Sequence, residues 1–154
     1  MDNATFLQKT MFNELSALHA DVNGKWGIMN VQEMVEHLAD FFDISSARLK
    51  FPVLTPAENL PAHKEFIYSD REFKPNTKAP AEMLGDMPIP LRTINLDAAI
   101  QMLQDSVEGF YSHFEGNENK TVAHPVFGEL NKREWEALHA KHVRHHMRQF
   151  GLWA

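Results

Sequence analysis

Seven of the eight prolines lie between Pro52 and Pro90, and this placement constrains what the chain can fold into. Proline breaks a helix interior and cannot donate within a central strand. The stretch 50–94 therefore reads as a connection, and at about 45 residues it is too long for a hairpin. Regular structure belongs to the flanks, where apolar residues recur at helical spacing. Leu7, Met11, Leu15, Leu18 and Val22 share one face of a helix running from Ala4 to Val22, stopped by Asn23-Gly24. A second helix opens at Asn30, with Glu33 three residues on as the partner in a capping box. Its two adjoining stripes, Met34-His37-Phe41-Ile44 and Val31-Val35-Leu38-Phe42, predict burial around much of its circumference.

A third helix is predicted from Asn95 to Phe114, with an unbroken apolar stripe from Leu96 to Phe114. A fourth opens with Asn131-Lys132-Arg133-Glu134 and runs to Gly151. Four amphipathic helices of about 16–20 residues predict an all-α fold: one four-helix-bundle domain over 1–154, with 50–94 crossing it as a wall or lid. Within that crossover only Lys64–Tyr68 alternates as a strand would, and a helical turn is expected near Ala79–Leu84.

Composition narrows the chemistry. The 154 residues contain no cysteine, which excludes disulfides, thiolate zinc sites, iron–sulfur clusters and a cysteine nucleophile. A net charge of −6 argues against general nucleic-acid binding, which needs a positive face. Apolar runs are too short for a membrane span, and Met1-Asp2-Asn3-Ala4 lacks the character of a signal peptide, so a cytoplasmic location is expected.

Of nine histidines, four fall between positions 139 and 146. At about 100° per residue, His142 and His146 lie about 40° apart on the core-facing stripe of the fourth helix, together with Trp135, Leu138, Gln149 and Trp153. An i, i+4 pair lets two imidazoles reach one metal ion. His37, set in the apolar stripe of the second helix, offers a third. Three imidazoles from two helices leave coordination positions open, as catalytic zinc sites do. His139 and His145, about 60° to either side, are expected in the outer shell or facing solvent. Other metal motifs fail: Val143 stands where HExxH needs glutamate, and Glu136-Ala137-Leu138-His139 is a lone Glu-x-x-His. A free imidazole titrates near 6.5, so metal affinity is expected to weaken as pH falls through about 6 to 5.

The segments Asn30-Val31-Gln32-Glu33-Met34-Val35-Glu36-His37-Leu38 and His142-Val143-Arg144-His145-His146-Met147-Arg148-Gln149-Phe150-Gly151-Leu152 resemble the DinB-like superfamily, the YfiT-like metal-dependent hydrolases. The segment His124-Pro125-Val126-Phe127-Gly128-Glu129-Leu130, followed by Trp135, is similar to an uncharacterised branch of it. The resemblance spans nearly the whole chain. It implies a four-helix bundle with a divalent metal, zinc or nickel, on His37, His142 and His146. It also implies hydrolase or thiol S-transferase chemistry on a small-molecule substrate, with a low-molecular-weight thiol as one partner.

In such an enzyme Glu33, Asp40 and His145 are the candidate proton acceptors, and Gln149 could hold a ligand or water. For Glu33 the competing role is the capping-box carboxylate. For Asp40 the choice lies between orienting His37 and an ordinary surface charge. Trp135 and Trp153 are expected in the core. Two alternatives stay open: a metal or small-molecule binder without turnover, and a structural bundle that forms a homodimer through an exposed helix face.

Overall fold

The computed structural model describes residues 1–77 and 89–153. It is mostly helical, as expected. Among the described residues there are five helices and one two-stranded hairpin. The helical turn expected near Ala79–Leu84 lies outside the described residues.

Helix α1 is a continuous run of Asn3–Thr5, a π-helical segment Phe6–Thr10, and Met11–Ser16. Asp2 caps it by accepting from the Thr5 amide at 2.7 Å. Phe6, Leu7, Met11 and Leu15 are buried. The helix stops at Ser16, short of the expected Val22, and Leu18 and Val22 pack against the core from turns instead. Tertiary contact overrides the periodic pattern here. The chain turns away to reach the C-terminal helix, where the Lys25 amide donates to the Gln149 carbonyl at 2.7 Å and satisfies one of the carbonyls a helix end leaves unpaired.

Helix α2 spans Val31–Ser45 and carries the predicted capping box in full. The Glu33 amide donates to Asn30 Oδ1 at 2.8 Å, and the Asn30 amide to Glu33 Oε1 at 2.9 Å. Its burial extends around most of the circumference and includes two acids, Glu36 and Asp40.

Helix α3, Leu60–Tyr68, replaces the expected strand-like alternation of Lys64–Tyr68. Pro61 falls in the first turn, where a missing N–H costs nothing, so this proline starts a helix and does not forbid one. Tyr68 donates to Glu134 Oε2 at 2.8 Å and Lys64 pairs with the same oxygen at 3.2 Å, docking α3 beside the C-terminal helix.

Helix α4, Leu96–Phe114, is capped by Asn95 and packs most extensively on α2. Strands β1, Val122–His124, and β2, Gly128–Leu130, then form an antiparallel hairpin with His124 opposite Gly128. No strand was expected there. Three-residue strands are too short to leave a readable alternation. Helix α5, Lys132–Gln149, opens with the second capping box. It ends in a Schellman motif: Gly151 has φ +80°, its amide donates to the Arg148 carbonyl, and the Leu152 amide donates to the Met147 carbonyl. Trp135 is fully buried and donates to the Val122 carbonyl at 3.0 Å, while Trp153 packs edge-on against Phe6. One apolar cluster runs through all five helices, the hairpin and the C-terminal turn. No helix among the described residues is long and apolar enough to cross a membrane.

The α5 capping box can be tested directly. Asn131→Ala should lower the unfolding free energy by about 1 kcal/mol in urea titrations, and Asn131→Asp should restore most of it. Equal stability of all three proteins would show that the box contributes nothing.

Candidate metal centre

Helix α2 presents His37 and helix α5 presents His142 and His146 to one point. His142 Nε2 lies 2.9 Å from His37 Nε2 and 3.1 Å from His146 Nε2. The three rings meet edge to face, with centroids 4.8–4.9 Å apart. A ring nitrogen carries one in-plane lone pair or one N–H, so His142 Nε2 cannot satisfy both neighbours by hydrogen bonding. The spacing does fit a cation. With bonds of about 2.0–2.1 Å, imidazole nitrogens at right or tetrahedral angles stand about 2.8–3.4 Å apart. The group is one that could hold a metal ion.

Gln149 fixes one ligand. Its Oε1 lies 2.7 Å from His146 Nδ1, and its Nε2 donates to the Trp26 carbonyl at 2.9 Å. An amide oxygen can only accept, so Nδ1 carries the proton and His146 Nε2 is left with a free lone pair. Gln149 is therefore a positioning residue.

Burial keeps the imidazoles neutral, as ligation requires. It pushes His37 down to about 4, with a smaller contribution from nearby His145. Burial, then the neighbouring imidazoles, hold His142 and His146 well below their ordinary value.

The centre forms the floor of a cavity of about 910 Å³, walled by aromatic side chains that include Trp26, Phe41, Phe66, Phe73 and Phe127. His146 is buried, but His37 and His142 are only half-buried. They line the cavity themselves.

The remaining candidates have different roles. Glu33 lines the cavity, with its Oε1 engaged in the capping box. Asp40 neither orients His37 nor sits at the surface; it is buried and takes both terminal nitrogens of Arg92 at 2.8 Å. Glu36, one turn earlier, accepts from the amides of Arg92 and Thr93 and from the Thr93 hydroxyl. Burial works to raise its carboxyl, but these hydrogen bonds and the Arg92 charge outweigh it. The acidic pair thus anchors the chain beyond the crossover onto α2.

His139 is neither an outer-shell group nor solvent-facing. It is buried, stacked on Phe42 at 3.8 Å, and its Nε2 lies 2.9 Å from Ser45 Oγ. The wheel placed it on a shoulder, but the wide apolar arc of α2 covers that shoulder. His145 is also buried, against Trp26 and Phe73. Burial lowers its pKa, and a hydrogen bond with the Phe73 backbone partly offsets this. Among the cavity residues to which the sequence patterns assigned no site role are Trp26, Phe73 and His124. All three lie outside helices, where spacing carries no signal.

Residues 5–151 match the family described as Protein of unknown function (DUF1569), and the chain belongs to it. No curated protein matches, and no solved structure matches.

Two outcomes follow from this geometry. Seven histidines, His37, His113, His124, His139, His142, His145 and His146, have folded pKa values below the unfolded value of about 6.5. The unfolded chain then binds more protons, so stability is complete above pH 6.5 and falls with pH, through about 4 for His37 and about 3 for His124. Urea titrations of the metal-free protein should show a clear loss between pH 7 and 5, before carboxylates titrate; a flat profile would contradict the assignment. Second, His37→Ala, His142→Ala and His146→Ala should each abolish stoichiometric metal, while Gln149→Leu should weaken it about 10–100-fold. His139→Ala should keep its metal and lose stability. Metal content with circular dichroism reads all five, and full metal in His142→Ala would overturn the ligand set.

Proposed function

We propose that this member of the DUF1569 family is a metal-dependent enzyme of the DinB-like, four-helix-bundle kind. In this reading α1, α2, α4 and α5 form the bundle, and α3 belongs to the crossover between its second and third helices. His37, His142 and His146 hold a divalent ion, zinc or nickel, both of which imidazole ligands suit. The reaction is a hydrolysis or a thiol S-transfer on a small molecule. One observation carries the proposal: two of the three imidazoles open onto a large aromatic cavity. A structural metal site would instead be closed on all sides by protein.

When bound, a divalent ion at such a site lowers the pKa of a water or a substrate thiol and polarises a carbonyl. The chain supplies the rest. Gln149 holds His146 in the ligating tautomer, and the aromatic walls exclude bulk water from the reacting groups. His145 lines the cavity, its ring centred 5.0 Å from that of His146. Its N–H is directed to the Phe73 backbone, which leaves the second ring nitrogen to accept a proton from water or thiol. Glu33 and Asp40 are committed to capping and to Arg92, which makes them weaker choices.

The test is metal analysis of protein purified without an affinity tag, followed by hydrolysis and thiol-conjugation assays. About one equivalent of metal with turnover, lost in His37→Ala, is the expected result. Metal without turnover would make the protein a binder. Absence of metal would overturn the proposal. Chelation should lower the melting temperature, since a ligand at a hundredfold excess over its Kd contributes roughly 2.7 kcal/mol. The helical circular dichroism spectrum should survive, because the apolar cluster does not depend on the ion.

A further inference from the structure

His124 closes the hairpin from inside. Its Nδ1 accepts from the Val126 amide at 2.9 Å and the Phe127 amide at 3.3 Å. A nitrogen that accepts two backbone N–H groups carries no proton, so the neutral ring has its proton on Nε2. Burial keeps the ring neutral, pushing its pKa down to about 3. The ring is 5% exposed and is held by Phe127 at 4.9 Å and Trp135 at 5.2 Å. Among the described residues the structure gives Nε2–H no acceptor. His139 is different: its Nε2 is satisfied by Ser45. Nε2 does not belong to the sealed, unpaired polar atoms of the interior, so this donor is reachable from the cavity that His124 lines and is open to a ligand's oxygen.

His124 lines the same cavity as the three imidazoles. Phe41 stands between them, its ring 4.7 Å from that of His142 and 6.2 Å from that of His124. The cavity thus has a metal-binding end and a fixed donor about one aromatic ring away, with Phe66, Phe127 and Leu138 lining the space.

We propose that His124 anchors a second subsite in this cavity, where its Nε2–H donates to a carboxylate or carbonyl oxygen on a flat apolar ligand whose other end faces the three imidazoles. The inference rests on reading the cavity as a substrate site, and it narrows the substrate to amphiphilic molecules with an oxygen acceptor remote from the reacting group. The turn that His124 caps fixes both the tautomer and the ring, so the donor is in place before a ligand arrives.

Naphthoate, with naphthalene as the acceptor-free control, tests the subsite by quenching of tryptophan fluorescence. The full chain is measured as purified and again after chelation, when no ion can take the carboxylate. His124→Asn is the informative variant: its side-chain oxygen can replace Nδ1 as acceptor for the turn, while the remote donor is gone. Naphthoate should bind His124→Asn about 10–100-fold more weakly than the parent, with naphthalene unchanged, in both metal states. Nitrogen shifts of the His124 ring should show the proton on Nε2. Naphthoate binding the parent no tighter than naphthalene, an equal loss of both compounds in the variant, or a proton on Nδ1 would each overturn the subsite. Purified protein without metal would overturn the enzyme reading alone, because the chelated measurement needs no ion.

Discussion

The structure turns on the approach of two helices at His142. Its Nε2 faces the Nε2 atoms of His37 and His146 at 2.9 and 3.1 Å, so α2 and α5 must hold register to a fraction of an ångström. Much of the surrounding sequence serves that requirement. Each helix begins at a complete capping box, which fixes where its first turn starts. One turn before His142, His139 stacks on Phe42 and bonds to Ser45, clamping α5 to the end of α2. Also on α2, Glu36 and Asp40 bind the Arg92–Thr93 backbone and the Arg92 guanidinium. The buried polar groups in this region are therefore chiefly connectors, and the imidazoles that remain for chemistry are those facing the cavity.

The parts legible in the sequence were those set by local rules. Asn30 and Asn131, each with glutamate three residues on, located two helix starts to the residue. The i, i+4 pair and the misplaced His37 identified the three side chains that the structure brings together. The parts that were not legible depend on distant partners. Helix α1 ends at Ser16, and the chain beyond it is tied to the C-terminal helix by the Lys25–Gln149 backbone bond. Helix α3 forms in a proline-rich stretch because Pro61 occupies a first-turn position and Glu134 receives Lys64 and Tyr68. His139 and Asp40 read as peripheral on a helical wheel, yet a wheel carries no information about what covers a shoulder.

One linkage has an evolutionary consequence. Gln149 fixes the tautomer of His146 that leaves Nε2 unprotonated and is itself held by the Trp26 carbonyl, so the loop of residues 24–27 is mechanically part of the three-histidine group. Gly27 sits there at φ +76°, where a Cβ would come within 2.8 Å of Gln149 Nε2. Any side chain at this position would strain the backbone and displace the amide that orients the ligand. Among related chains that retain the three histidines, glycine at 27 and glutamine at 149 are therefore expected to persist or disappear together. A lineage that has replaced both while keeping its histidines would have found another way to hold His146.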